Sequence, residues 1–274
     1  MSDNTNTVEG HYQKGGILDS ILDALREMGK DLSHLTPADL APVDEFHIRG
    51  REATIELATR AGIQPGDRVL DVGCGLGGSA RYLASEHGAR VDGIDLTQEY
   101  VDTAQRLAEL VGMQDQVHFL RADALDLPFA DKSFDVVWTE HAQMNIADKR
   151  GFYGELARVL VPGGRLAFHD VFQGPGGPPH FPVPWAGAPE ISHLAPPGDV
   201  LNLLEEMRLR VLEWEDKSQQ SVDWLAAPEK VPPRPTPLGL HLLMGETRKE
   251  KIANLTRNLQ ENRVAVVQCV AVKR

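Results

Sequence analysis

The run Val69-Leu70-Asp71-Val72-Gly73-Cys74-Gly75-Leu76-Gly77-Gly78 places a carboxylate just ahead of clustered glycines. Glycines at a strand end let the backbone turn sharply and let a ligand lie against bare amides. Read at Gly73, Gly75 and Gly78, the run satisfies the spacing G-x-G-x-x-G, and Asp95 falls where a ribose-binding acid is expected. Asp71 sits badly beside a pyrophosphate, because like charges at close range repel, but well beside a cation. These residues therefore suit a nucleoside that carries positive charge. An NAD-binding oxidoreductase is the alternative. Histidine is the usual proton-transfer group near neutral pH, and the chain has ten. His141 ends the apolar run that closes on Trp138-Thr139-Glu140, and His169-Asp170 ends another. His141 is expected to act as a base or positioning group, or else to bond loop backbone or the ligand; His87 and His118 read as structural or exposed. No His, Cys, Asp or Glu cluster has metal-ligand spacing, so no metal is expected.

Further motifs stand in order downstream: Gly93-Ile94-Asp95-Leu96, Arg121-Ala122-Asp123-Ala124, Ser133-Phe134-Asp135-Val136-Val137, and Glu155 through Pro162-Gly163-Gly164. With the glycine run, residues 65–170 resemble the class I S-adenosylmethionine (SAM)-dependent methyltransferases. The resemblance implies SAM as cofactor and S-adenosylhomocysteine (SAH) as product. It sets Asp71, Gly73, Gly75 and Gly77 against the methionine moiety, Asp95 and Leu96 at the ribose, and Asp123 and Ala124 at the adenine.

The segment Ala41-Pro42-Val43-Asp44-Glu45-Phe46-His47-Ile48-Arg49-Gly50 and the tail Asn254-Leu255-Thr256-Arg257-Asn258-Leu259 narrow the likeness. They resemble small-molecule methyltransferases related to sarcosine/dimethylglycine N-methyltransferase, with ubiquinone, tocopherol and natural-product enzymes as relatives. That implies methyl transfer to a small molecule at nitrogen or oxygen, with C-methylation of a quinone or isoprenoid as the alternative. A tertiary amine needs no base, whereas a hydroxyl usually does. Natural-product O-methyltransferases of this type often carry a His-His pair past the fourth strand, where this chain has Met144-Asn145. His47 and Arg49 are expected over the methionine end of SAM, and Tyr12 and Trp185 in mobile parts facing substrate.

The chain of 274 residues holds 40 acids against 28 bases, a net charge of −12. Polyanion binding draws on Lys and Arg neutralising phosphates, so a nucleic acid is not the expected partner. The bases of 248–257 are interleaved with Glu246, Glu250 and Glu261 and read as a solvated helix face. Met1–Gly10 is polar, neither a signal peptide nor a membrane span. Two cysteines imply no disulfide framework and suit a cytoplasmic protein, monomer or homodimer.

To position these residues, strands are expected at 68–73, 90–96, 117–122, 134–140, 165–171, 209–215 and 264–272, alternating with helices. This pattern predicts an α/β fold: a Rossmann-like, seven-stranded, mostly parallel sheet with helices on both faces. Ligands in such sheets bind beyond the carboxyl ends of the strands. Residues 1–62 read as a helical cap and 63–274 as the core, with insertions at 172–198 and 218–262. Residues 172–198 and 228–239 are rich in proline and read as lids or substrate walls.

Overall fold

Strand β1 (Arg68–Val72) is buried from its second residue onward, as a strand covered on both faces must be. Alternation sends Leu70 and Val72 to one face, with Ile94, Val137 and Phe168. It sends Val69 to the other, with Val91, Val136 and Trp138. The computed structural model describes residues 7–227 and 236–274. Strands β2 (Arg90–Asp95), β3 (Val117–Arg121), β4 (Phe134–Glu140), β5 (Leu160–Gln173), β6 (Leu209–Asp216) and β7 (Val264–Lys273) complete the sheet. It is seven-stranded, in the order β3-β2-β1-β4-β5-β7-β6. The pairings from β3 through β5 are parallel, and β7 runs antiparallel to both neighbours. The expected Rossmann-like sheet is the one found. Strand order reverses between β1 and β4, which opens a crevice beyond their carboxyl ends.

Four helices precede the sheet: α1 (Val8–Tyr12), α2 (Ile17–Glu27), α3 (Pro37–Asp44) and α4 (Arg51–Ala61). Between strands lie α5 (Gly78–His87), α6 (Gln98–Leu110), α7 (Lys149–Val159), α8 (Pro197–Glu206), α9 (Ser218–Ala226), α10 (His241–Met244) and α11 (Arg248–Gln260). Thr97 stands at the N-cap position of α6 without a side-chain capping bond, and Tyr100, Ala104 and Leu107 lie on its buried face. Leu57, Ala58 and Ala61 of α4 pack directly on the sheet face that holds Trp138. Ile17, Ile21 and Leu25 of α2 instead build a separate cluster with Leu76, Tyr100 and Leu243. That cluster sits over the glycine run, so the cap helices roof the crevice.

One boundary differs from expectation. Pro162-Gly163-Gly164 does not separate α7 from a later strand; β5 already begins at Leu160, which pairs with Phe134. A register shift between Phe134 and Val136 absorbs the glycines. Gly163 has φ +79°, and a side chain on Gly164 would meet the Val161 carbonyl oxygen at 2.9 Å. The expected proline-rich lid at 228–239 falls mostly outside the described residues. The other, 172–198, is pinned to α11: the His180 amide donates to Asn258 Oδ1 at 2.8 Å, and Asn258 Nδ2 donates back to the His180 carbonyl at 3.0 Å.

Candidate active site

A cavity of about 430 Å³ opens at the crevice between β1 and β4. The glycine turn forms one wall. Gly73 has φ +78°, and a Cβ there would come within 2.7 Å of Ala142 Cβ. The Gly73 and Cys74 amides both donate to the Ile94 carbonyl at 2.9 Å. Gly75 and Cys74 also line the cavity. Asp95 accepts from the Gly75 amide at 3.1 Å and the Thr97 amide at 2.9 Å, with burial holding its carboxyl above the usual range. Leu96, Asp123 and Ala124 line the same space, and Asp123 is steadied by the Leu125 amide at 2.9 Å.

Gly77 does not face the cavity. It caps the start of α5 at φ +77°, and a Cβ there would meet Phe119 at 2.4 Å. Gly77→Ala is therefore expected to cost about 1–3 kcal/mol of stability through overpacking and backbone strain. Urea unfolding reads this directly, and an unchanged midpoint would refute the packing role.

Asp71 is 2 % exposed, and its Oδ2 makes no hydrogen bond. Burial, then the neighbouring carboxylates of Glu140, Asp95 and Glu45, push its carboxyl well above the usual range. A buried acid in acidic company is relieved by a cation. A ligand bearing an ammonium and a sulfonium, and a backbone cradle that only glycine permits, therefore suit these residues.

Three histidines meet at the other wall. His141 adopts φ +54° just past β4, its amide donating to the His169 carbonyl at 2.9 Å. The His141 ring stacks on His169 at 5.3 Å and lies 6.0 Å from that of His47. Burial, then the nearby His169 and His47, hold His141 well below the usual histidine range. His141 and His47 line the cavity. His169 does not: it is fully buried, its Nε2 lies 2.9 Å from the Ile48 carbonyl, and burial pushes it down to about 3. Asp170, also expected in the chemistry, is 1 % exposed and accepts from the Ala142, Gln143 and Val171 amides. Burial pushes its carboxyl up to about 7. Asp170 thus shapes the turn that presents Met144 and Asn145. Arg49 lies away from the cavity, paired with Glu56 at 2.8 Å.

Glu140 lines the cavity and was not singled out by sequence. Its carboxylate accepts from Ser79 Oγ at 2.6 Å and Trp138 Nε1 at 3.1 Å, and His47 Nε2 lies 3.3 Å away. Trp138 and Glu140 share one face of β4. A polar residue extending a buried alternation to the strand's carboxyl end was the signal available.

The N-terminal segment closes the cavity. Tyr12 donates to Asn145 Oδ1 at 3.0 Å, while Asn145 Nδ2 donates to the Trp185 and Ile191 carbonyls. The Glu99 carboxylate accepts from the Lys14, Gly15 and Ile17 amides at 2.9–3.0 Å. Hydrogen bonds to a charged group contribute about 1.5–3 kcal/mol. Glu99→Ala should accordingly speed amide exchange in residues 11–17 by about tenfold or more; unchanged exchange would show that the segment is held otherwise.

Comparison with known proteins bears on the family and the fold. Residues 70–168 match the family described as "Methyltransferase domain". The O-methyltransferase rstn1 of Aspergillus nomiae is 38% identical over 176 residues, 63% of this chain and 77% of that protein. Methyltransferase GfsG of Streptomyces halstedii is 37% identical over 161 residues, 57% of each chain. A probable tocopherol O-methyltransferase of rice is 47% identical over 98 residues, 36% of this chain. The match spans 57% of the GfsG length and 27% of the rice protein. In fold, geranyl diphosphate C-methyltransferase from Streptomyces coelicolor superposes with a TM-score of 0.72 at 18% identity, covering 100% of this chain and 99% of that one. Among the described residues, no helix is long and apolar enough to cross a membrane. Sheet order, glycine cradle and relatives together leave no room for the NAD-binding alternative: the chain belongs to the class I SAM-dependent methyltransferases.

Proposed function

We propose that this protein transfers the methyl group of SAM to a hydroxyl of a small molecule, within the cavity between β1 and β4. The observation that carries this is His141, which lines the cavity one residue past β4 and is kept neutral by its surroundings. The O-methyltransferase relative matched over 77% of its length favours oxygen over nitrogen or carbon. Bound there, SAM supplies a methyl group already activated on sulfur, and SAH is left. The chain's own task is then alignment and proton removal. In this reading Asp95 holds the ribose hydroxyls, Asp123 and the Ala124 amide the adenine, and Asp71 with Glu140 neutralises the methionine end. His141 takes the hydroxyl proton on Nε2, whose lone pair meets only the Ile48 amide at 3.5 Å, as the oxygen reacts. Tyr12, Asn145 and Trp185 exclude water behind the acceptor. Incubation with methyl-labelled SAM and a panel of hydroxyl, amine and carbon acceptors tests this. Carbon-13 spectra should place the label on oxygen; label on nitrogen or carbon would refute it.

A further inference from the structure

Among the residues lining the cavity, Tyr12, Phe46, Met144, Trp185 and Leu243 form its large apolar and aromatic surface. The polar tips of this surface are already engaged within the protein. Trp185 Nε1 donates to Ser192 Oγ at 3.0 Å, and the Tyr12 hydroxyl donates to Oδ1 of Asn145, whose Nδ2 is taken by backbone carbonyls. The rest of this surface is aromatic and aliphatic carbon with the Met144 sulfur. The charged side chains lining the whole cavity are, apart from its histidines, the carboxylates of Asp44, Asp71, Asp95, Asp123, Glu140 and Asp148. Three cations beside its walls are engaged within the protein, and Lys251, behind α10, has its Nζ 3.5 Å from the Met244 carbonyl. Lys149 Nζ donates to the Gln143, Ile146 and His193 carbonyls. Arg81 is paired with Asp44, and Arg51 with Glu45.

An anionic acceptor entering this space would lose its water, meet like charge, and find no cation among the described lining residues to pair with. We propose that the methyl acceptor is an uncharged, largely apolar hydroxyl compound, carrying no phosphate, diphosphate or carboxylate. This rests on the hydroxyl-methylation reading above and narrows it to one chemical class. Met144 and Trp185 then set specificity: their faces cover the apolar body while His141 meets its hydroxyl.

The test uses the full chain saturated with SAH, and two probes that share a naphthyl body, neutral naphthol and anionic naphthyl phosphate, the latter with and without magnesium. Calorimetry should show saturable naphthol binding, with naphthyl phosphate weaker by about tenfold or more in either condition. Trp185→Ala should weaken naphthol by about tenfold through loss of stacked area, with SAH still bound. Because Trp185 is buried, the half-buried Phe46 supplies a second variant, Phe46→Lys: a cation on the wall should reverse the order of the two probes. Equal or tighter phosphate binding to the wild type, no saturable naphthol binding, or an unreversed order in Phe46→Lys would overturn the proposal. Failure to bind SAH at the outset would overturn the cofactor site itself. Naphthol bound as expected, with label found on nitrogen or carbon acceptors, would sink only the hydroxyl reading.

Discussion

Replacing His141 with Ala is expected to slow single-turnover methyl transfer to a hydroxyl acceptor by about 10²–10⁴-fold, the range for loss of a general base. The pH profile carries the sharper information. An ordinary histidine would make the rate rise with pH near neutrality. Burial and the neighbouring His169 and His47 hold His141 well below that range, so it is already neutral there. The wild-type rate should be level through neutral and alkaline pH and fall only on the acid side. The variant should lose that acid limb. Rates across the pH range, measured with SAM saturating, check this; an unchanged rate would remove His141 from the chemistry. The same burial links pH to stability. For a histidine whose folded pKa is depressed, the unfolded chain takes up the proton first, so stability is present above the ordinary value and lost as pH falls. For His169 that window runs from 6.5 down to about 3.

Asp95→Ala should weaken SAM and SAH binding by about 1.5–3 kcal/mol for each lost hydrogen bond to the charged group. The effect has two sources. Asp95 is placed at the expected ribose position, and it also pins the Gly75 and Thr97 amides that shape the turn. Asp95→Asn separates them: it keeps an acceptor oxygen but not the charge, and should retain part of the affinity. Titration of both variants reads the difference. Wild-type affinity in Asp95→Ala would contradict its assignment to the cofactor.

The strand pattern was legible because buried parallel strands are short apolar runs, and the turn was legible because only glycine permits its backbone. Asp71, Asp95, Asp123 and His141 come together in one cavity because each stands at or just past a strand's carboxyl end. Other expectations relied on adjacency along the chain, which does not report direction. His169 and Asp170 are neighbours on β5, yet one reaches back to Ile48 and the other braces the 142–145 turn. Gly77 reads like its companions in the run but serves Phe119 packing. Glu140 was hidden in plain alternation, since its role depends on Ser79 and His47, brought to it from α5 and the cap. Arg49 shares its segment with His47, but its guanidinium finds Glu56 on α4. Side-chain direction and long-range pairing decide such cases, and neither is written in local spacing.

This cavity is expected to hold an adenosyl cofactor bearing positive charge rather than a dinucleotide. Titration calorimetry of the wild-type chain with SAM, SAH and NAD tests it most directly. Saturable heat with SAM and SAH, and none with NAD, is the predicted result. Saturable heat with NAD, or none with SAM and SAH, would contradict the account.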